Sequence, residues 1–179
     1  MQRMLHNPLH RAKLFKYLDF PNRMQYAHNA KLSVFVHEGE SEQAIATALK
    51  KLSGLPEDCF APTEKKELVT LTRTVAAGFN EKKIIILELV ILKQKHLKYF
   101  FTHLSTILSS SDKELLRRQK SSRIDDGLFF YLRLDKAHLL RDDVLLTDGG
   151  SCFHLKIALA AFPRKKEAAE KVVDMLLAR

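Results

Sequence analysis

Glycine and cysteine are scarce in this chain of 179 residues, which contains six glycines and two cysteines. The glycine-rich signatures GxxxxGK[ST], GxGxxG and GxSxG are all absent. With so few glycines, the chain also has little loop material from which to build an elaborate pocket. Enzymes that depend on these motifs to hold phosphates or to activate a serine are therefore excluded.

Neither the cysteines nor the histidines are spaced like metal ligands. Cys59 and Cys152 are far apart, and neither belongs to a CxxC or CxxH pair. The histidines are either clustered without ligand spacing near the N-terminus or isolated along the chain. We therefore predict two reduced, buried thiols, as in cytosolic proteins, and neither a bound metal nor a cofactor.

Long apolar segments are also missing. The longest run, from Ile84 to Leu92, is interrupted by Glu88 and is less than half of a membrane span. No apolar segment typical of a signal peptide follows the N-terminus. We expect a soluble, cytoplasmic protein with no membrane partner.

Positive charge is what the chain has in excess. The formal net charge is +9, and it is concentrated in two segments. Residues 1–28 hold five Lys/Arg against one acid, and residues 93–123 hold eight against two. Such surpluses attract polyanions, of which nucleic acid is the usual one in the cytosol. The two basic segments are therefore candidate docking places for RNA.

The pattern of apolar residues predicts one α+β domain. Strand-like and helix-like periods follow one another in the order β-α-β-β-α-α-β-β-β-α. The run at 83–92 is almost continuously apolar, and we expect it to be a central strand covered on both faces. Strands and helices that occur in runs indicate a single, mostly antiparallel sheet with helices packed on one face. We assign residues 29–179 to this domain and residues 1–28 to a basic N-terminal arm or extension.

The most distinctive segment runs from Asp125 to Lys136. Its start predicts a turn, because Asp side chains bond their own backbone and Gly127 tolerates a positive φ. Beyond the turn, residues 128, 130, 132 and 134 are apolar and form one face of a strand. The other face carries Phe129, Tyr131, Arg133 and Asp135. Such a face stacks bases or holds phosphates when it is exposed; in a half-buried strand, Arg133 would instead pair with Asp135.

Two groups of residues are therefore candidates for RNA contact. The first lies in the basic segment at 93–123, where Lys and Arg would bind phosphates without reading sequence. A solvated helix face is the alternative interpretation of that group. The second group lies on the strand at 128–135, where Tyr131 would stack on a base. The full set is Lys93, Lys95, Lys98, Arg117, Arg118, Lys120, Arg123, Tyr131, Arg133 and Lys136.

Carboxylates offer a weaker alternative, a metal-dependent nuclease. Asp125 and Asp135, together with Glu38 and Asp126, are the acids available for such a site. Asp125 and Asp126 have a simpler role in forming the turn before Gly127. We therefore predict that the protein is not an enzyme.

Several segments resemble an archaeal RNA-binding family described as predicted exosome-associated subunits. The matching segments are Leu32–Glu38 with the following helix, the Gly78-Phe79-Asn80 turn, Asp125–Lys136, and the last strand and helix within Phe153–Leu177. The resemblance covers about residues 29–179. It implies a fold like that of the fifth large-subunit ribosomal protein, and RNA, exosome or ribosomal proteins as partners.

Together these observations favour a non-catalytic RNA-binding protein that is an accessory factor in RNA processing or degradation, or in ribosome-related work. The alternative from another class is a protein-interaction module of a larger complex without direct RNA contact. The two differ in salt dependence, because phosphate contacts weaken steeply as salt rises and apolar contacts do not.

Overall fold

The computed structural model describes residues 25–60, 69–77 and 83–178. Most of the predicted arm at 1–28 and the predicted turn at 78–80 lie outside these ranges. The described strands are β1 (Ala27–Val36), β2 (Val69–Ala77), β3 (Lys83–Ile91), β4 (Phe129–Asp135) and β5 (Cys152–Leu159). The helices are α1 (Glu42–Ser53), a 3-10 helix (Glu57–Phe60), α2 (Gln94–Ile107), α3 (Ser110–Arg123), α4 (Lys136–Leu139) and α5 (Lys166–Leu177).

The strands form one antiparallel sheet in the order β2-β3-β1-β5-β4. Strand β1 is central, and its Leu32 pairs with Leu89 of β3 and with Leu155 of β5. Leu155 pairs in turn with Leu132 of β4, so four fully buried leucines cross the sheet in one row. The predicted α+β class is confirmed.

Helices cover the face of the sheet that carries this leucine row. Helix α2 buries Phe100, Phe101 and Leu104 toward it, and α5 buries Ala169 and Val173. On β1 the alternate residues point the other way, which is why its burial alternates along the strand. We call this other side of the sheet the open face. It carries the odd-numbered residues of β1 and β4 and the even-numbered residues of β2, β3 and β5.

Two predicted features of the strands differ from the structure. Strand β3 is second from the edge and not central, and its Ile84, Ile86 and Val90 lie half-buried on the open face. An apolar run does not by itself show that both faces of a strand are covered. The sequence also predicts a short strand at 144–147, but the structure has only one bridge there, in which Leu146 pairs with Leu134 at the outer edge of β4.

Two helix starts also differ from the sequence pattern, which predicts that Asp112 caps α3 and that Pro163 begins α5. Helix α3 is capped by Ser109 and not by Asp112: the Ser109 hydroxyl accepts the Asp112 N–H at 3.0 Å, and the Asp112 carboxylate accepts the Ser109 N–H at 3.1 Å. This reciprocal capping box begins the helix at Ser110. Helix α5 begins at Lys166, and the preceding Phe162–Pro163 peptide bond is cis.

Candidate nucleic-acid interface

The open face carries cations and aromatic rings on its β1, β5 and β4 strands. Because antiparallel neighbours point to the same side at paired positions, the register decides which of these side chains meet. Lys156 of β5 lies between Lys31 of β1 and Tyr131 of β4, and in the next row His154 lies between Ser33 and Arg133. The group consists of Lys31, Lys156, His154, Phe129, Tyr131 and Arg133, and we call it the basic-aromatic patch.

Lys156 is held over two rings. Its ammonium lies 4.0 Å from the centre of the Phe129 ring and 5.5 Å from that of Tyr131. The negative face of an aromatic ring attracts a cation at such distances. The neighbouring Lys31 forms an ion pair with Glu88 of β3. Lys156 is therefore half-buried on the open face, with its ammonium in contact with rings.

The turn before β4 fixes the Tyr131 ring. Its hydroxyl donates a hydrogen bond to Asp125 Oδ2 at 2.7 Å, and Asp125 Oδ1 accepts the Phe129 N–H at 2.9 Å. Burial raises the pKa of Tyr131, and the hydrogen bond to Asp125 raises it as well, by a smaller amount. Burial alone would raise the pKa of Asp125, but the bonds from the Phe129 N–H and the Tyr131 hydroxyl outweigh it and lower that pKa.

Glycine serves this turn in a way that differs from the prediction. The positive φ belongs to Leu128, at 62°, and Gly127 is not among the residues with positive φ. A Cβ at Gly127 would lie 2.9 Å from the Phe129 ring and 3.2 Å from Asp125 Oδ1. Glycine is required there because the ring and the carboxylate approach the backbone closely.

Arg133 and His154 form the second row of the patch. Arg133 is exposed and donates from Nη1 to the Asp148 carbonyl at 3.1 Å. His154 packs edge-on against Phe35, with ring centres 6.0 Å apart, and its Nε2 lies 3.3 Å from Cys152 Sγ. Burial, and then the charge of Arg133, lower the pKa of His154 below 6.5. Both effects favour the neutral form of the imidazole beside the guanidinium.

The predicted pairing of Arg133 with Asp135 is wrong. Asp135 accepts hydrogen bonds from the backbone N–H of His138 at 2.9 Å and contacts its Nδ1 at 2.8 Å. These contacts cap α4 and, with the His138 side chain as the largest cause, lower the pKa of Asp135. The carboxylate serves the chain reversal after β4, which leaves Arg133 for other partners.

Lys136, predicted to contact RNA, is buried. Its side chain is 3% exposed, and its ammonium donates to the Phe35 carbonyl at 2.7 Å and to both carboxylate oxygens of Glu40 at 2.9 and 3.0 Å. Each of its three protons has a partner within the chain. Lys136 therefore joins the end of β4 to the loop after β1, and does not reach an RNA bound outside.

Three of the predicted cations on α3 have partners inside the helical layer. Lys120 forms an ion pair with Asp174 of α5, and Arg117 donates to the Leu177 carbonyl. Arg123 donates to Gln119 Oε1 at 2.7 and 2.9 Å, and its side chain is only 13% exposed. Its Nη2 also lies 3.5 Å from Oδ1 of Asp148, outside the helices. These contacts hold α3 to α5 and to its own last turn. Arg118 is exposed on the same helix.

The predicted lysines near α2 lie away from the patch. Lys93 and Lys95 are exposed where β3 leads into α2, and Lys98 is half-buried on the helix. Since α2 packs on the covered face of the sheet, these side chains belong to the helical layer. The structure therefore brings only Tyr131 and Arg133 of the predicted set together on the open face.

The comparison with known proteins agrees with the sequence resemblance. The model of the RNA-binding family matches residues 29–159, a segment that spans the sheet from β1 to β5. This chain belongs to the RNA-binding family. One curated relative is the RNA-binding protein PAB1135 of Pyrococcus abyssi (strain GE5 / Orsay), which is 27% identical over 147 residues, or 82% of this chain and 91% of the relative.

Solved archaeal structures share the fold. Protein SSO0741 from Sulfolobus solfataricus is 26% identical, with a TM-score of 0.60, over 82% of this chain and 98% of its own. Protein AF2318 from Archaeglobus fulgidus and Mth689 from Methanothermobacter thermautotrophicus are each 23% identical, with TM-scores of 0.69 and 0.64. They match 84% and 86% of this chain, and 99% of their own chains. All three carry the family name DUF54.

The described part of this RNA-binding family member contains no metal-like cluster. Within residues 25–60, 69–77 and 83–178, no group of three or more His, Cys, Asp or Glu side chains is arranged to hold a metal ion. Asp125 and Asp135, the predicted nuclease acids, are each engaged in a turn or a helix cap. In the same ranges no helix combines the length and the apolar character needed to cross a membrane.

Besides Phe129, three members of the patch, Lys31, His154 and Lys156, are absent from the predicted set. All three alternate with buried apolar residues on β1 or β5. That alternation was available in the sequence and marks an open side on each strand. It does not reveal that β1 and β5 lie beside β4, because neighbours in a sheet are set by the chain path.

Proposed function

We propose that this protein is a non-catalytic RNA-binding protein that binds RNA on the open face of its sheet. It acts as an accessory factor in RNA processing or degradation, associated with the exosome, or in ribosome-related work through a fold like that of the fifth large-subunit ribosomal protein. The observation that carries the proposal is the basic-aromatic patch. The relative from Pyrococcus abyssi is named an RNA-binding protein, which supports the ligand class.

The cations of the patch supply phosphate contacts. Lys156 and Arg133 lie on adjacent strands in consecutive rows of one face, so both can meet the same backbone segment. Phosphate contacts of this kind position an RNA strand without reading its sequence, and they release counterions. Binding is therefore expected to weaken steeply as salt rises.

The rings of the patch supply a surface for bases. Phe129 and Tyr131 are half-buried on the open face, and the Tyr131 ring is fixed by its bond to Asp125. Sheets that present aromatic residues bind unstacked bases by stacking, which requires single-stranded segments. The favoured ligand is therefore RNA with single-stranded regions.

The test compares two double charge reversals that change the net charge equally. Arg133→Glu with Lys156→Glu alters the patch, and Lys95→Glu with Arg118→Glu alters exposed cations of the helical layer. Affinity for labelled single-stranded, duplex and structured RNA would be measured by fluorescence anisotropy over a salt series. The patch variant should bind at least about ten-fold more weakly and with a smaller salt dependence, since two phosphate contacts are lost.

The control variant separates a site from a general charge effect. It should bind within about two-fold of the parent chain at physiological salt, where charges beyond about 8 Å are screened. Equal losses in both variants would mean that only the net charge attracts RNA. A larger loss in the control would place the site on the helical layer. Absence of RNA binding by the parent chain at low salt would favour the protein-interaction module instead.

The non-catalytic part of the proposal needs its own measurement. The labelled RNA would be incubated with the protein in magnesium and analysed on a denaturing gel. Intact RNA is expected. Cleavage that EDTA stops and that Asp125→Ala abolishes would overturn the proposal in favour of a nuclease.

A further inference from the structure

Strand β2 forms an edge of the sheet. Its nine residues pair with β3 in one unbroken register, from Val69 with Ile91 to Ala77 with Lys83. Among the described residues, no strand pairs with the other side of β2. The outward backbone groups of such a strand are a template for another strand.

This edge lacks the features that keep sheet edges from pairing. Strand β2 has no proline and no bulge, and its one charged side chain, Arg73, is bonded to Glu42 of α1 with Nε 2.7 Å from Oε1. Apolar side chains are also exposed on it: Leu71 is 37% exposed and Val75 is 52% exposed. A long, regular edge with one charged side chain, already paired within the chain, and with exposed aliphatic side chains is typical of an interface.

We propose that two copies of this chain pair through β2 in an antiparallel arrangement, with a two-fold axis at Thr72. The axis is perpendicular to the sheet, so the two sheets become one with ten strands. Both open faces then lie on the same side. The proposal concerns the assembly of the chain and does not depend on RNA binding.

The sequence of β2 is complementary to itself about Thr72. An axis there places Thr72 opposite its own copy, Thr70 opposite Thr74, Leu71 opposite Arg73, and Val69 opposite Val75. Threonines meet threonines on the open side, and valines meet valines on the helical side. Pairs of these types stabilise antiparallel strands.

Other two-fold axes are less favourable. An axis at Arg73 would place two guanidinium groups opposite each other, which destabilises a strand pair. An axis at Thr74 would place Leu71 opposite Ala77 and leave Val69 without an opposite residue. Such an axis must pass through a residue and not between two residues, because residues opposite each other must point to the same side of the sheet. An axis at Leu71 would place Val69 opposite Arg73 and leave the exposed Val75 without an opposite residue of β2. Thr72 is therefore the position that the side chains favour.

A second copy also accounts for the exposed aliphatic residues. In the proposed pairing, Val75 contacts Val69 of the partner copy, and Leu71 packs on the aliphatic stem of the partner copy's Arg73. A peptide of arbitrary sequence would cover the backbone edge but would not match these side chains. The side-chain match is why we choose a second copy of this chain as the occupant.

Single cysteines test the position of the axis. In Thr72→Cys the two new thiols lie opposite each other, within the range of about 4.4 to 6.8 Å between Cα atoms that a disulfide requires. In Thr70→Cys and Thr74→Cys, on the same face of the same strand, the two copies of the new thiol are about 13 Å apart along the strands. Mild oxidation should link only the Thr72→Cys chains into a dimer on a non-reducing gel, and the parent chain with its two native cysteines is the blank.

Charged variants test the same contact without oxidation. The parent chain should have twice its 20.6 kDa mass in light scattering at high protein concentration. Thr72→Lys and Thr72→Glu should each be monomeric, because like charges meet at the axis, and an equal mixture should regain the dimer mass. The exposed Ser121 of α3 provides matched controls, since Ser121→Lys and Ser121→Glu should leave the dimer unchanged.

The outcomes are distinguishable. A parent chain that stays at 20.6 kDa at every concentration would overturn the proposal. Dimers that persist in both Thr72 variants would show that another surface is used. Cross-linking by Thr74→Cys and not by Thr72→Cys would overturn the axis. Thermal unfolding of each variant shows whether it is folded. Because Thr72 is opposite Glu88 of β3, Thr72→Lys gains a favourable neighbour within the chain and Thr72→Glu an unfavourable one.

Discussion

The open face and the helical layer of this protein both carry cations, but the cations have different partners. In the helical layer, Lys120 pairs with Asp174, and Arg117 donates to a backbone carbonyl. On the open face, the ammonium of Lys156 lies over the rings of Phe129 and Tyr131, and Arg133 is exposed. The first group joins two helices, whereas the second remains at the surface.

This difference shows why charge density along a chain is a poor guide to a binding surface. Residues 93–123 hold the largest local surplus, eight Lys/Arg against two acids. Yet α3 must pack against α5, and long basic side chains at that boundary contact acids and carbonyls of the other helix. The patch has fewer cations, but the flat sheet aligns them on one side. Availability to a ligand therefore depends on packing more than on the number of charges.

The largest expected effect concerns Lys136. The sequence pattern groups this residue with the RNA-binding candidates, but in the structure it is buried. In Lys136→Met, the Glu40 carboxylate and the Phe35 carbonyl lose their donor. Loss of one member of a buried ion pair costs about 3 kcal/mol or more. Because part of Glu40 still reaches water, we expect the lower value, a decrease of about 3 kcal/mol in the free energy of unfolding. Urea unfolding measures it.

Lys171→Met is the control for Lys136→Met, because Lys171 is exposed on α5. It should change the free energy of unfolding by less than about 0.5 kcal/mol. The folded Lys136→Met protein should bind RNA with the affinity of the parent chain. Weaker RNA binding without lower stability would show that Lys136 acts on the ligand.

The next effect concerns stacking on the open face. Tyr131→Ala removes a ring whose stacking on a base is worth about 1–3 kcal/mol, so single-stranded RNA should bind about ten-fold more weakly. Tyr131→Phe keeps the ring and loses only the bonds of the hydroxyl to Asp125 and Lys156, and it should retain most of the affinity. Anisotropy titrations measure both. Equal losses in the two variants would assign the effect to the hydroxyl group and not to stacking.

A smaller effect is a dependence on pH through His154. Burial and Arg133 lower its pKa below 6.5, so between that lowered value and 6.5 the unfolded chain binds more protons than the folded one. The stability that the neutral ring contributes grows as pH rises through this window and is lost as pH falls through it. A phosphate beside His154 would favour the charged ring.

RNA affinity should therefore increase a few-fold more in the parent chain than in His154→Gln when pH falls from about 7.5 to about 5.5. The variant corrects for the other histidines, which titrate in both proteins. The same titrations at each pH measure the difference. Identical pH profiles in the two proteins would place His154 outside the region that RNA reaches.

The smallest effect concerns the helical layer. Lys120→Met breaks the ion pair with Asp174, whose groups are partly exposed, so the free energy of unfolding should fall by about 0.2–1 kcal/mol. RNA affinity should not change. A loss of affinity as large as that of Tyr131→Ala would remove the distinction between the two regions.

The fold class was predictable because its signals are local. Alternation on β1 and β4 and helical periods over α1 and α2 follow from the backbone geometry of strands and helices. The start of α3 was missed because Ser109 and Asp112 are both good caps, and only the reciprocal pair of hydrogen bonds shows which one is used. Coverage of β3 was missed because one apolar run is compatible with one covered face or with two.

The binding patch was predictable only in part. Tyr131 and Arg133 stand out on β4 because they alternate with buried residues on one strand. Lys31 and Lys156 belong to strands 125 positions apart in the chain, and their pairing depends on the sheet order. Lys136, in contrast, continues the even-numbered series of the buried face, and in the folded chain it meets Glu40.

The amino-acid sequence by itself determined the α+β class, the membership of an RNA-binding family and the strand that carries Tyr131 and Arg133. These depend on interactions within a few residues, which composition and period describe. Only the tertiary structure decided which cations are available, which strands share the open face, and that β2 is an edge. Those depend on contacts between distant segments, because burial and ion pairing are properties of the packed chain and not of a residue in its local sequence.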